Sequence, residues 1–210
     1  YFYKKPPELL NINGIYLLLL PQKASKAIKM QCTLFGGKYL ENKKNHGISH
    51  LLEHLLMASQ YCGKIKCNLF LNKYGIKSNA STHEMCTNYW VLGLPEYQNI
   101  MLNYITSSIL EPIITNENLR QEKEAVKHEL EGFMNNPNWK LTNSLFKEFY
   151  KPEGYKYGVN WEKHLQLLKT IDINLIKKHL KYTRVKNCLM FTISGAFKKS
   201  QIIDYFKKLK

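Results

Sequence analysis

His50, Glu53 and His54 stand close together in a stretch, His46 to Leu56 (HGISHLLEHLL), that is otherwise apolar. On a helix, residues four apart lie about 40° from each other, so His50 and His54 project on one side and can reach one cation, with Glu53 beside them. The order His-x-x-Glu-His inverts the His-Glu-x-x-His arrangement of zinc-binding helices. Imidazole nitrogens suit a zinc ion, and a carboxylate beside the ligands is placed to move protons. The chemistry implied is therefore metal-assisted hydrolysis, with His50 and His54 as ligands and Glu53 as general base. At helical spacing Ile48, Leu51, Leu52 and Leu55 fall on the far side, while His46, His50, Glu53, His54 and Met57 share one arc. A helix this apolar is expected to be buried, where imidazoles beside a carboxylate favour a cation.

Such a site needs a further ligand. Leu119 to Phe133 (LRQEKEAVKHELEGF) is rich in helix formers, with Thr115 or Asn116 as a cap and Asn135-Asn136-Pro137 as a stop. Its apolar residues Leu119, Ala125, Val126, Leu130 and Phe133 share an arc with Glu122 and Glu129 in its middle, while Arg120, Lys123, Glu124, Lys127 and Glu131 lie opposite. Carboxylates on a buried stripe are costly unless paired or bound to a metal. Glu122 and Glu129 are thus candidates for the site, and Glu124 and Glu131 belong to a solvated face.

These motifs together resemble the pitrilysin/insulinase zinc peptidases, whose signature is His-x-x-Glu-His with a ligand Glu far downstream; here Glu129 follows His54 by 75 positions. Leu10 to Pro21 (LNINGIYLLLLP) looks like the family's opening strand, and Ala27 to His54 like its second strand, glycine-containing turn and metal helix. Asn79-Ala80-Ser81-Thr82 with Thr87-Asn88-Tyr89 is similar to the family's Asn-Ala-x-Thr segment. Met85 and Cys86 depart from the residues usual between them, which leaves pocket preference open. Glu122 takes the family's second acidic position, and Trp139 resembles an insulinase-like Trp.

The resemblance implies one zinc ion held by His50, His54 and Glu129, with Glu53 as the general base and Glu122 accepting a hydrogen bond from the distal nitrogen of a ligand His. It implies that Asn79, Ala80, Ser81 and Thr82 receive a peptide as an added strand. The expected activity is endopeptidase cleavage of peptides or small unfolded proteins. Family enzymes take an Arg and a Tyr from a later domain to steady the scissile carbonyl, and nothing after Phe191 can play that part. The partner expected is therefore the C-terminal half of the same enzyme or a second subunit, and an excised domain should bind zinc but cleave poorly. A non-catalytic structural or peptide-binding subunit is the alternative; those usually lose the metal residues, and this chain keeps them.

The elements expected to position these groups are, in order, two strands, the metal helix, a short helix near Asn68 to Tyr74 and two strands across Ile76 to Leu94. Helices follow at about 96–110, 115–134, 138–149 and 162–181, then a strand at Asn187 to Ser194 and a closing helix. Grouped strands and helices predict an α+β domain over residues 1–210, and the resemblance implies that it is an antiparallel sheet covered by helices. Lys151-Pro152-Glu153-Gly154 to Gly158 reads as a surface loop. A chain of 210 residues with 44% hydrophobic composition can bury a substantial core, and no run reaches the length of a bilayer span. Five cysteines, Cys32, Cys62, Cys67, Cys86 and Cys188, suit free thiols in a reducing intracellular compartment, the cytoplasm first and an organelle second. The Cys62-x4-Cys67 pair lacks the second pair that a structural zinc site requires. The net charge of +15 raises a third reading, a basic nucleic-acid-binding domain. The lysines are scattered, however, without an arginine cluster or a known nucleic-acid module, and a lysine-rich solvated surface accounts for them.

Overall fold

A computed structural model of the chain describes residues 6–59, 67–149, 161–184 and 187–209. Strands β1 (Glu8–Ile12), β2 (Ile15–Pro21) and β3 (Ile28–Phe35) lead to helix α1 (Ile48–Met57), and α2 (Cys67–Asn72), β4 (Lys77–Thr82) and β5 (Cys86–Gly93) follow. Helices α3 (Gln98–Leu110), α4 (Asn116–Asn135), α5 (Pro137–Phe149), α6 (Trp161–Leu168) and α7 (Ile173–Thr183) precede β6 (Leu189–Gly195) and α8 (Lys199–Lys208). The loop expected at Lys151 to Gly158 and the position of Cys62 lie outside the described residues. Cys32, Cys86 and Cys188 are free thiols.

The strands form one six-stranded sheet in the order β1-β2-β6-β3-β5-β4. The α+β class stands, with one refinement: β2 and β6 run parallel, and the other neighbours are antiparallel. The reason lies in the connectivity. The last strand enters between β2 and β3, which are antiparallel in sense to each other, so it must match one of them. Strand periodicity turns Leu17, Leu19, Met30, Cys32, Val91, Phe191 and Ile193 to the buried face, while Leu18, Gln31, Trp90 and Thr192 alternate to the half-exposed one. Helices cover the buried face: Phe206 of α8 meets Phe191 edge-on, and Ile48, Leu51, Leu52, Leu55 and Leu56 of α1 enter the same core.

Two expected elements prove to be pairs. Leu10 to Pro21 is a hairpin, because Asn13 and Gly14 adopt φ of 55° and 84°, the left-handed conformations that a tight turn demands. The helix expected over 162–181 breaks after Leu168 and restarts at Ile173, where Asp172 accepts a hydrogen bond from Leu175 N at 2.7 Å. That carboxylate satisfies a backbone donor with no intrahelical partner, which fixes the start of α7. Asp172→Ala should therefore lower stability by about 1 kcal/mol in urea unfolding, and an unchanged midpoint would contradict the assignment of this cap.

Candidate metal centre

Helix α1 carries the paired histidines and α4 the acidic residues, and the two helices pack together through their apolar stripes. Leu119, Val126 and Leu130 of α4 are buried, as expected, and Phe133 is half-buried; Ala125 is exposed, being at the edge of the arc. Thr115 caps α4 by accepting from Asn118 N at 3.1 Å. Because Glu122 and Glu129 are seven residues apart, about two turns, both meet α1 from the same side.

Glu129 Oε2 lies 3.3 Å from His50 Nε2 and 3.2 Å from His54 Nε2. Donor atoms of these side chains all fall within 4.8 Å of one another, the convergence that one cation needs. Glu122 Oε2 lies 3.3 Å from His54 Nδ1, the nitrogen on the other side of that ring. Glu53 stands beside them, and Thr82 donates its hydroxyl to Glu53 Oε2 at 2.5 Å. Ala80, Ser81 and Thr82 of β4 line the same cleft, about 400 Å³ in volume. Among the described residues, strand β4 is an edge of the sheet, paired with β5 alone. Asn79 is exposed and accepts from Ala80 N, and Ser81 contacts His83.

Carboxylates dominate the electrostatics. Burial alone would push the His54 imidazole down, but hydrogen bonds to Glu122 and Glu129 and the charges of Glu129 and Glu53 outweigh it and raise its pKa to about 9. The hydrogen bonds from His50 and then His54 hold the Glu129 carboxyl well below the usual carboxylate range. His50, His54 and Glu129 offer nitrogen and oxygen donors of the kinds that zinc accepts, so the cluster could hold a cation.

Aromatic residues and a buried histidine complete the cleft; the sequence singles out Phe133 and Trp139 among them, but not Phe146, Trp161 or His164. Phe133, Trp139 and Trp161 form an aromatic wall through mutual ring contacts, and Phe146 joins them in the lining. His164 is 4% exposed and packs edge-on against His50. Burial, with His50 and His46 nearby, drives its pKa down to about 3, so the ring is neutral. Its place in the apolar spacing Trp161, His164, Leu165, Leu168 was the available signal that it faces inward. His46, expected on the ligand arc, lies ahead of the helix, which starts only at Ile48, and is buried beside Glu41.

The family model for insulinase, peptidase family M16, matches residues 20–159. The chain belongs to that family. Its fold is similar to that of a protease from Helicobacter pylori, with a TM-score of 0.84 at 18% identity over 98% of this chain and 51% of that one. A protein from Alicyclobacillus acidocaldarius described as an M16-like peptidase gives a TM-score of 0.81 at 16% identity, over 99% of this chain and 50% of the other. An inactive M16 peptidase domain from Pseudomonas fluorescens gives 0.82 at 11% identity, over 97% and 50%. At these identities the likeness concerns the fold. The M16 chain described here spans about half the length of each of these neighbours. Among curated proteins no relative matches the sequence.

The metal-free site has a pH signature. A folded-state pKa of about 9 for His54 against an ordinary value of 6.5 means that its contribution to stability is complete below about pH 6.5 and is lost as pH rises through about 9. In chelator, the melting temperature of this M16 chain should fall across that window, and that of His54→Gln should fall less. Parallel profiles for the two proteins would contradict the assigned pairing.

Proposed function

We propose that the chain is the metal-bearing unit of a zinc-dependent endopeptidase. The observation that carries this reading is the convergence of His50, His54 and Glu129 with Glu53 beside them in the cleft. Family membership supports a peptidase, and the presence of His50, His54, Glu129 and Glu53 in this chain favours that reading over a non-catalytic structural or peptide-binding subunit, the alternative that an inactive neighbour keeps in view.

His50, His54 and Glu129 would hold the ion, and zinc bound there would supply Lewis acidity toward a water and a peptide carbonyl. Glu53 takes the proton of the attacking water. Thr82 donates to its Oε2 and so orients the carboxylate. The same group then returns the proton to the departing amine. Glu122 holds Nδ1 of His54 and so presents Nε2 to the ion with raised basicity. The open edge of β4, from Asn79 to Thr82, offers backbone donors and acceptors to an extended peptide, which makes affinity depend little on sequence. The groups that steady the scissile carbonyl would come from a second half-length unit, on the same polypeptide or on another subunit. No described helix is long and apolar enough to cross a membrane.

Metal analysis tests the binding step. The purified chain should hold about one equivalent of zinc, and His50→Ala with His54→Ala should abolish it; an absence of stoichiometric metal in the unaltered chain would overturn the proposal. Zinc affinity should climb as pH rises toward about 9, because the ion displaces the proton of His54.

Chemistry is separable from binding. Glu53→Gln should retain zinc and lower peptide hydrolysis by at least about a hundredfold in the complete enzyme. Near-normal turnover would exclude Glu53 as the base. Glu122→Gln should weaken zinc binding about tenfold to a hundredfold without unfolding the chain; an unchanged affinity would remove Glu122 from the site.

A further inference from the structure

The metal helix begins without a cap of its own. Gly47 occupies its N-cap with φ of 88°, a conformation that side chains rarely adopt, and it offers no side-chain acceptor. Steric contact closes that position further. A Cβ on Gly47 would lie 1.9 Å from Cδ2 and 2.1 Å from Nε2 of His164, so the close approach of α6 to the start of α1 requires a bare backbone there. The first N–H groups of α1 must then find acceptors elsewhere, since helix termini leave their first donors unsatisfied and this one is buried.

Glu41 supplies those acceptors from six residues upstream. Its Oε2 accepts from Gly47 N at 2.8 Å and its Oε1 from Ser49 N at 2.9 Å, while the N–H of Ile48 goes to Asn45 O at 3.1 Å. The carboxylate is 4% exposed and spans both donors like a clamp. His46 Nδ1 stands 3.2 Å from Oε2 and, against the upward push of burial, helps to hold the carboxyl below its usual range. Ser49 is held on its other side as well, donating to Gly37 O at 2.9 Å with His179 Nε2 3.1 Å away. An anion at a helix N-terminus is favoured by the helix dipole as well as by its hydrogen bonds. The residue next along the chain is His50.

We infer that Glu41 is a positioning residue of the metal centre: by clamping Gly47 N and Ser49 N it fixes the first turn of α1, and through it the direction in which His50 meets the ion. This rests on the zinc reading above, but its structural half can be measured without metal. Buried N–H groups are costly to strand, so removing the carboxylate from Gly47 N and Ser49 N should release the turn instead of leaving it intact.

The test uses the 210-residue chain with Glu41→Ala, Glu41→Gln and, as a control for plain loss of stability, Ile202→Ala in the core between α8 and the sheet. In metal-free protein, Glu41→Ala should speed amide hydrogen exchange of Ile48 to Leu51 by at least about tenfold relative to the amides of β6. Well below its melting temperature it should also bind zinc about tenfold to a hundredfold more weakly in a competition titration. Glu41→Gln, which keeps one acceptor oxygen, should lie between, and Ile202→Ala should lower the melting temperature with little change in zinc affinity. If Glu41→Ala does not fold, Glu41→Gln is judged on the same criteria. Unchanged local exchange, or zinc affinity within about twofold of the starting chain in folded variants, would overturn the inference. A starting chain that binds no zinc would overturn the metal reading instead, and the exchange measurement would still decide whether Glu41 clamps the turn.

Discussion

The packing of α1 against α4 is the constraint on which the site depends, because it brings one carboxylate oxygen of Glu129 to 3.3 Å from His50 and 3.2 Å from His54. Neither helix holds enough ligands alone. The interface works because each helix sinks an apolar stripe into the core and leaves its polar groups at the margin, with Leu51, Leu55, Val126 and Leu130 buried and His50, His54, Glu122 and Glu129 half-buried. Half-burial matters chemically. The groups are shielded enough for Glu129 and Glu122 to raise the basicity of His54, yet open enough for an ion and a peptide to reach them.

The same economy explains the glycine before the metal helix. His164 fills the space over Gly47, the helix loses the chance of a local cap, and Glu41 replaces that cap from a neighbouring turn. Two layers of carboxylates thus act on α1: Glu41 at its N-terminal amides, and Glu122 with Glu129 at its imidazoles. One orders the backbone and the other orders the rings. Thr82 adds a link to the sheet, since its hydroxyl ties Glu53 to the edge strand on which a substrate would lie.

What was legible in the sequence is what local periodicity controls. His50, Glu53 and His54 share a helix turn, and Glu122 and Glu129 share a stripe, so each group was visible by itself, while the pairing of the two groups in one site came from the family resemblance. Thr115 and Asn135 to Pro137 likewise marked the ends of α4. The Asn13-Gly14 turn and the Asp172 cap were also local signals, and they correct a long strand into a hairpin and a long helix into two. The parallel pairing of β2 with β6 was not legible, because those strands are far apart in sequence and their register is fixed only when the sheet assembles. The roles of Glu41 and His164 were hidden for the same reason: each acts on Gly47 through a tertiary contact that no spacing encodes.

Anomalous scattering at the zinc edge, from crystals of the chain grown with one equivalent of zinc, tests the central claim most directly. The account predicts one strong peak between α1 and α4, about 2.0–2.2 Å from Nε2 of His50, Nε2 of His54 and a carboxylate oxygen of Glu129. A peak coordinated by Glu122 in place of Glu129, a peak elsewhere on the chain, or no peak between these helices would contradict it.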